Sequence, residues 1–333
     1  MIPNRHRDFR LDLWALALML PGFILPFLKV GPFYQSLTYQ CAIGAAATMS
    51  IYVMLRMGLL SFTVPAFMAV GGYAGAMLGK AGVTSLPLLM LVSFIAPMLF
   101  AIPLGLLVLR LKGLYFIFIT FIFNEILQLI IFETPRLTGG SDGISGVPPV
   151  TFMGHEFFLP WQQVLVTSVI CTVGAIVTLI TTQRFRAEFT SIEENETLAE
   201  SLGVIVWKYR MIGFIVSAGV AGLVGLALVN VLGTAHPSSF SSWSVNNYIA
   251  YAFVGGRGTM LGMVIGSYLL IIMSNFFSAY AHLSAGLFGI LLIAVMMIAP
   301  TGIVGAVVGL CDRIRAGRGT ARTAVETTKE HGA

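Results

Sequence analysis

Long apolar runs separated by short polar stretches fill most of the sequence. A helix needs about 20 residues to cross the ~30 Å hydrocarbon layer of a membrane. Nine runs are of about this length, and a tenth, at 245–256, is shorter and fits either a short crossing or a re-entrant segment. The ten runs lie near residues 12–28, 36–55, 58–79, 84–109, 113–133, 163–182, 211–233, 245–256, 260–281 and 285–308. The pattern predicts an all-α, polytopic integral membrane protein with about ten transmembrane helices.

The basic residues between these runs favour one orientation. If all ten runs cross and the N-terminus is cytoplasmic, the outer side receives only Lys29, Lys80 and Arg136 of the 19 basic residues. Short loops rich in Lys and Arg remain cytoplasmic. Without a crossing at 245–256, the basic tail would move outside and this bias would weaken. We therefore predict ten crossings with both termini cytoplasmic.

The same segmentation predicts the domain organisation. Residues 1–11 form a cytoplasmic N-terminal segment, and residues 12–310 form a single transmembrane domain. Its longest outer loop covers residues 134–162, and its longest inner loop covers residues 183–210. Residues 311–333 are rich in Arg, Thr, Ala and Gly without an apolar period, so we expect a basic, disordered cytoplasmic tail.

Composition excludes several classes of function. Charged residues make up 10% of the chain, against about 25% in a soluble domain, and the mean hydropathy is +0.90. This is too little polar surface for a soluble enzyme or a nucleic-acid-binding protein of 333 residues. The three cysteines and five histidines are far apart in sequence, and Gly79-Lys80 lacks the rest of a phosphate-binding loop. We therefore expect no metal site, catalytic site, cofactor or bound nucleotide in this chain.

One predicted transmembrane helix carries a group of polar residues. Glu125 is the only acidic residue that the predicted spans place deep in the membrane, where a charged side chain costs roughly 2.5–3.5 kcal/mol. Thr120, Asn124 and Gln128 follow a spacing that puts them near the same helical face as Glu125. These four side chains form a candidate translocation path. The alternative is that they hydrogen-bond two helices together, and the sequence leaves both readings open.

Small residues and prolines indicate how the helices pack. Gly71, Gly75 and Gly79 recur every four residues, a spacing that lets helix backbones approach closely in a membrane. Pro65 falls within one predicted span and Pro87, Pro97 and Pro103 fall within the next, where they would interrupt helical hydrogen bonds. We expect a compact bundle in which some helices are broken.

The inner loop at 183–210 contains a predicted short helix. Ser191 lies three residues before Glu194, as in a capping box, and Gly203 supplies a stop. A short helix with an apolar side and acidic residues at a membrane surface favours docking of a soluble partner, and a solvated connector is the alternative. The residues of its apolar side are Phe189, Ile192, Ala199 and Leu202.

Several segments resemble one known family, in the same order along the chain. Residues 191–203 (Ser-Ile-Glu-Glu-Asn-Glu-Thr-Leu-Ala-Glu-Ser-Leu-Gly) resemble the coupling loop of LivM-type permeases, the membrane subunits of bacterial branched-chain amino acid ABC importers. Residues 137–148 (Leu-Thr-Gly-Gly-Ser-Asp-Gly-Ile-Ser-Gly-Val-Pro) are similar to the outer-loop signature of that family. Residues 58–62 and 255–259 are similar to further family motifs. The resemblance extends from about residue 35 to 305.

The resemblance implies a function, partners and contact residues. The chain would be a permease subunit of an ATP-driven importer of Leu, Ile and Val in the bacterial inner membrane, working by alternating access. Its partners would be a second related permease subunit, two cytoplasmic ATPases that bind the ATP, and an external substrate-binding protein. The implied ATPase-coupling residues are Ser191, Ile192, Glu193, Glu194, Asn195, Glu196, Ala199, Glu200 and Gly203. The implied outer-loop motif consists of Gly139, Gly140, Ser141, Asp142 and Gly143.

Three alternatives to this function remain, of which a non-transport role as a structural subunit is the least favoured. Within the same family, urea or a short amide is the alternative substrate, and neither length nor composition separates these from amino acids. In a different class, the chain is an ion-coupled secondary carrier with Glu125 as its proton or sodium site. The acidic inner loop favours the importer, because a carrier working alone needs no docking helix.

Overall fold

The computed structural model describes residues 5–28, 31–278, 284–299 and 302–307. Most of the described chain is helical, and the predicted tail at 311–333 lies outside the described residues. The α-helices are α1 (Arg5–Ala17), α2 (Pro21–Ile24), α3 (Pro32–Leu55), α4 (Val64–Lys80), α5 (Leu86–Val108), α6 (Leu114–Glu133), α7 (Pro135–Thr138), α8 (Pro160–Arg184), α9 (Arg186–Glu194), α10 (Glu196–Ser201), α11 (Val206–Leu232), α12 (Trp243–Gly255), α13 (Met260–Phe277) and α14 (Ser284–Ile298). Four strands of two residues each form two antiparallel pairs. β1 (Ile144–Ser145) pairs with β4 (Thr234–Ala235), and β2 (Thr151–Phe152) pairs with β3 (His155–Glu156).

The predicted crossings all coincide with helical segments. Among the described residues, seven segments are long and apolar enough to cross a membrane, namely α3, α5, α6, α8, α11, α13 and Gly286–Val307. The other three are shorter: Leu11–Ile24 is divided between α1 and α2, α4 has 17 residues and α12 has 13. The all-α polytopic class is confirmed. The count of ten crossings and the side of each terminus stay predictions.

Helix α11 lies at the centre of the bundle and packs against α3, α4, α5 and α8. Its contact with α4 requires glycine, because a Cβ added at Gly71 would overlap the backbone of Gly222. Its contact with α3 is polar: Ser50 Oγ donates to the carbonyl oxygen of Ser217, and Ser217 Oγ donates to that of Ser50, each at 2.8 Å. The close packing predicted for Gly71 is confirmed, and a movement of α11 must displace four neighbouring helices.

The prolines interrupt fewer helices than predicted. Pro65 and Pro87 lie in the first turns of α4 and α5, where the missing amide hydrogen breaks no helical hydrogen bond. The expected interruption at these two positions is therefore wrong. Pro97 and Pro103 do lie inside α5, and each removes one backbone hydrogen bond within that helix.

The loops gather at two opposite ends of the bundle. At one end, Lys112 after α5 is 3.0 Å from Glu196 in α10, and Arg56 after α3 donates a hydrogen bond to α9 at 2.8 Å. At the other end, the backbone N–H of Thr151 donates to the carbonyl oxygen of Thr84 at 2.7 Å, and β1 pairs with β4. We call these the inner end and the outer end, because the first contains loops predicted to be cytoplasmic and the second contains loops predicted to be external.

The short run at 245–256 belongs to a segment that joins the two ends and is only partly helical. Its start is fixed at the outer end by β4. The chain then forms a 3-10 helix at Pro237–Phe240, in which Phe240 is only 3% exposed, and α12 begins at Trp243. At 1.5 Å per residue, α12 is about 20 Å long. It ends near Arg257, whose charge acts on Glu193 at the inner end.

Candidate functional site

The inner loop folds into two short helices, α9 and α10, separated by Asn195 alone. Asn195 has an extended backbone (φ −159°, ψ 106°), and its Oδ1 accepts a hydrogen bond from the backbone N–H of Leu198 at 3.1 Å. This residue therefore ends the first helix and caps the second. The predicted capping box is wrong, because Ser191 lies inside α9 and its Oγ donates to the carbonyl oxygen four residues earlier at 2.8 Å.

The end of α10 agrees with the prediction. Gly203 has φ +88°, in the left-handed region where glycine avoids the clash that a Cβ would cause. Its backbone N–H donates to the carbonyl oxygen of Glu200 at 2.9 Å, and that of Val204 donates to Ala199 at 3.0 Å. These bonds satisfy carbonyl groups at the end of the helix. A side chain at position 203 would strain the turn.

The inner loop has one buried side and one exposed apolar side. The buried side chains, each 3% exposed or less, are Phe189, Ile192 and Ala199. Leu202, predicted to lie with them, is 75% exposed because it lies beyond the end of α10. Leu198 and Ile205 are also exposed, at 57% and 62%. We call Leu198, Leu202 and Ile205 the docking face. Of the predicted coupling residues, Ile192 and Ala199 thus hold the loop on the bundle, whereas Glu194 and Glu200 are open to solvent.

Glu196 connects α10 to two other parts of the inner end. Its Oε1 and Oε2 accept hydrogen bonds from Nη1 and Nη2 of Arg210, each at 3.0 Å, and Lys112 Nζ lies 3.0 Å from Oε1. Arg210 is in the second turn of α11 and is 6% exposed. Burial raises the pKa of Glu196, but hydrogen bonds from Lys112 and Arg210 and their charges outweigh it, so the pKa lies below its usual value. The ionised carboxylate ties α10 to α11 and to the α5–α6 connection.

A weaker contact holds α9. Arg56 Nη2 donates to Thr190 Oγ1 at 2.8 Å, and Arg56 Nη1 lies 4.0 Å from Glu193 Oε2. Burial raises the pKa of Glu193, and the charges of Arg56 and Arg257 oppose that rise only in part. The long Arg56–Glu193 separation makes this pair weaker than Glu196–Arg210. The loop is thus held at both helices, more firmly at α10.

The polar residues of α6 occupy two faces, not one. Thr120 and Asn124 are 0% and 2% exposed. Asn124 Nδ2 donates to Ser242 Oγ at 2.6 Å, and Ser242 Oγ donates to Gln128 Oε1 at 3.4 Å. Thr120 Oγ1 accepts a hydrogen bond from the connection before α4 at 3.3 Å. Glu125 is exposed, because adjacent helical residues point about 100° apart. The expected single polar face is wrong: three of its members join α6 to the starts of α4 and α12, and the fourth points away.

The outer-loop motif is a compact turn that packs on β4. Gly139, Gly140 and Gly143 have φ values of +78°, +59° and +66°, which favour glycine. A Cβ at Gly143 would also overlap a carbonyl oxygen of β4. Ser141 Oγ donates to Asp142 Oδ1 at 3.2 Å, and both residues are exposed. The glycines therefore shape the loop, and the two polar residues are open at the outer end.

Sequence reasoning missed the role of Asp12. This residue is 4% exposed; its Oδ2 accepts a hydrogen bond from Gln183 Nε2 at 2.6 Å, and its Oδ1 accepts one from the backbone N–H of Met260 at 3.2 Å. It joins α1 to the end of α8 and the start of α13. The only signal in the sequence was an acidic residue at the polar end of an apolar run. Within the described ranges, no group of three or more His, Cys, Asp or Glu residues is placed to hold a metal ion.

Comparison with known proteins gives one consistent result. A family model described as "Branched-chain amino acid transport system / permease component" matches residues 33–300. The high-affinity branched-chain amino acid transport system permease proteins LivM of Salmonella typhimurium and Escherichia coli are 25% and 24% identical over 319 residues, covering 84% of this chain and 74% of theirs. A probable branched-chain amino acid transport permease protein LivH of Methanocaldococcus jannaschii is 30% identical over 121 residues, which is 34% of this chain and 38% of that protein. No solved structure matches significantly.

Proposed function

Because the chain belongs to the family of permease components of branched-chain amino acid transport systems, we propose that it imports leucine, isoleucine and valine across a bacterial inner membrane as one subunit of an ATP-driven complex. It is a multi-pass membrane subunit of a multi-component transporter, and not an enzyme. The family match over residues 33–300 is the observation that carries the proposal. That range includes the docking face, the polar residues of α6 and the outer-loop motif.

The energy for transport comes from separate ATPase subunits that bind the inner end. The docking face supports this step, because three exposed apolar side chains lie beside acidic residues on a loop that is itself fixed to the bundle. When the ATPases close on ATP, they displace α9 and α10. The Glu196–Arg210 pair passes this displacement to α11, and Lys112 passes it to the α5–α6 connection. Since α11 packs against four helices, the whole bundle responds.

Alternating access requires further partners. A second, related permease subunit completes the translocation path, and α5 and α6 offer it a broad surface because large hydrophobic side chains are exposed along both helices. An external substrate-binding protein delivers the amino acid at the outer end, where Ser141 and Asp142 are exposed. Two copies of the ATPase serve the two permease subunits.

The proposal is tested by reconstituting the complete complex in liposomes with ATP on the ATPase side. We expect uptake of radiolabelled leucine that requires hydrolysable ATP and continues after an uncoupler has collapsed ion gradients. Excess isoleucine or valine should compete, and excess urea or acetamide should not. Uptake driven by an ion gradient without ATP would refute the importer in favour of a secondary carrier. Competition by urea alone would refute the substrate.

A further inference from the structure

Helices α6 and α12 expose polar side chains about halfway between the inner and outer ends. α6 begins at the inner end with Leu114, so Glu125 lies about 17 Å along a helix of about 30 Å. α12 runs towards the inner end and finishes at Gly255. Asn246 and Asn247 lie about 12–14 Å before that end. Both helices therefore present polar groups near the middle of the predicted membrane.

A hydrogen bond next to these side chains joins α6 to the residue before α12. Ser242, just before α12, donates a hydrogen bond to Gln128 of α6 at 3.4 Å. Glu125 precedes Gln128 by three residues, and Asn246 follows Ser242 by four, so each is the helical neighbour of a bonded residue on the inner side. Glu125 and Asn246 therefore each lie one helical turn to the inner side of the Ser242–Gln128 bond.

The exposed face of α12 differs from a surface that contacts lipid. Trp243 is 80% exposed, and Asn246 and Asn247, three and four residues later, are exposed on the same face. The opposite face is buried, with Val245 and Ala252 at 0% exposure. Lipid-facing helices carry aliphatic residues at this depth, whereas α12 carries an indole and two amides.

Hydrocarbon is an unfavourable neighbour for this surface. A carboxylate and two amides at the middle of a membrane lose their hydrogen bonds to water, and lipid tails offer none in return. Between β4 and α12 the chain forms only a short 3-10 helix, Pro237–Phe240, and backbone that is not α-helical occurs at membrane depth only where protein covers it or a water-filled cavity adjoins it. Interrupted helices border the substrate paths of many transporters. These observations favour contact with water and solute.

We infer that Glu125, Trp243, Asn246 and Asn247 form this chain's half of a binding site for the charged end of a zwitterionic amino acid. The inference rests on the proposed import function. The Glu125 carboxylate pairs with the ammonium group, and the Trp243 ring attracts the same group through its π face. The amide N–H groups of Asn246 and Asn247 donate to the α-carboxylate. The second permease subunit supplies the other half and encloses the aliphatic side chain.

The first test measures access of water to position 246. The complete complex carries a permease chain in which Cys41, Cys171 and Cys311 are replaced by alanine, with and without Asn246→Cys. We expect a charged, water-soluble methanethiosulfonate reagent to label Asn246→Cys, and saturating leucine to suppress most of the labelling. Leu99→Cys is the control, because this side chain is 61% exposed near the middle of α5, where lipid or the second permease subunit should keep water away from the thiol.

The second test measures recognition of the ammonium group. We expect Glu125→Gln to raise the KM for leucine uptake by about ten-fold or more, the usual effect of losing one hydrogen bond to a charged group. Glu133→Gln is the matched control, because Glu133 is also an exposed acid of α6 but lies at its outer end. This control should retain the KM of the unaltered complex.

Three results would overturn the inference. The first is an unreactive Asn246→Cys that instead forms a disulfide with a cysteine in the second permease subunit, which would indicate a dry interface. The second is labelling that leucine leaves unchanged, and the third is equal KM values for Glu125→Gln and Glu133→Gln. Failure of the unaltered complex to import leucine would count against the proposed function instead. In that case the labelling at position 246 would still decide whether a water-filled path exists here.

Discussion

Replacement of Glu196 by methionine should destabilise the chain more than replacement of its partner Arg210. The Arg210 side chain is 8% exposed, and its Nε has no hydrogen-bond partner among the described residues. Its charge therefore depends on Glu196 for compensation. Breaking a buried ion pair by removing one partner costs about 3–5 kcal/mol. Because the Glu196 side chain is 21% exposed, we take the lower limit, about 3 kcal/mol, for Glu196→Met.

Replacement of Arg210 by methionine should lower the stability less than replacement of Glu196. Arg210→Met leaves Glu196 with Lys112 at 3.0 Å and with partial access to water, so we expect a loss of about 1–2 kcal/mol. The double variant removes both charges and inserts two apolar side chains. Such replacements are often close to neutral in stability. It should therefore be more stable than Glu196→Met alone, yet transport poorly, because α10 is no longer tied to α11.

The free energies of unfolding can be measured by SDS titration of the purified chain in mixed micelles, with far-UV circular dichroism as the signal. Glu200→Gln is the control: Glu200 is exposed on the same helix, and its replacement should change stability by less than about 0.5 kcal/mol. The reasoning fails if Glu196→Met is no more destabilising than Glu200→Gln. It also fails if the double variant is less stable than Glu196→Met.

Three further predictions concern docking, packing and pH. Leu198→Asp, on the docking face, should abolish co-purification of the ATPases with little loss of stability, because the side chain is 57% exposed; full recruitment would contradict the docking role. Gly71→Leu should reduce the yield of folded protein severely, because any Cβ there overlaps α11, whereas Gly31→Ala should not, because its Cβ meets nothing within 4 Å; equal yields would contradict the packing argument. Since the pKa of Glu196 is lowered, its pair should contribute full stability above the usual pKa of about 4.3 and lose it as the pH falls through the lower folded value. SDS titrations that show this contribution already lost between pH 7 and pH 5 would contradict that assignment.

The positions of the helices could be predicted from the sequence, because a membrane requires a long apolar run in most crossing segments. The caps of the inner helices could not. Ser191 and Asn195 are both residue types that cap helices. The choice between them depends on Ile192, which must remain helical to reach its buried position at 3% exposure. This is a tertiary effect that no local pattern contains.

The sequence also could not predict which face of α6 is buried. Its apolar residues surround the helix, so the hydrophobic pattern does not identify a buried face. The polar spacing placed four residues on one side, but the 100° step between Asn124 and Glu125 separates them as soon as one packs tightly. That packing is decided by Ser242, more than 100 residues later, whose Oγ lies 2.6 Å from Asn124 Nδ2. Contacts between distant segments therefore decided which polar residues are structural.

The polar residues of α6 divide between the two predicted roles, hydrogen bonding between helices and contact with the translocation path. The chain before α12 is not α-helical, and backbone or side-chain polar groups there need partners inside the membrane. Asn124 and Gln128 supply them through Ser242, so their polarity follows from the need to support a half-length helix. Glu125 takes no part in that contact and is exposed. The cost of its charge at mid-membrane, roughly 2.5–3.5 kcal/mol, must be offset outside this chain, by water, by solute or by the second permease subunit. Glu125 therefore marks the position in the bundle where this chain alone does not stabilise a charge at this depth, and contact with solute during transport is the interaction that we propose for it.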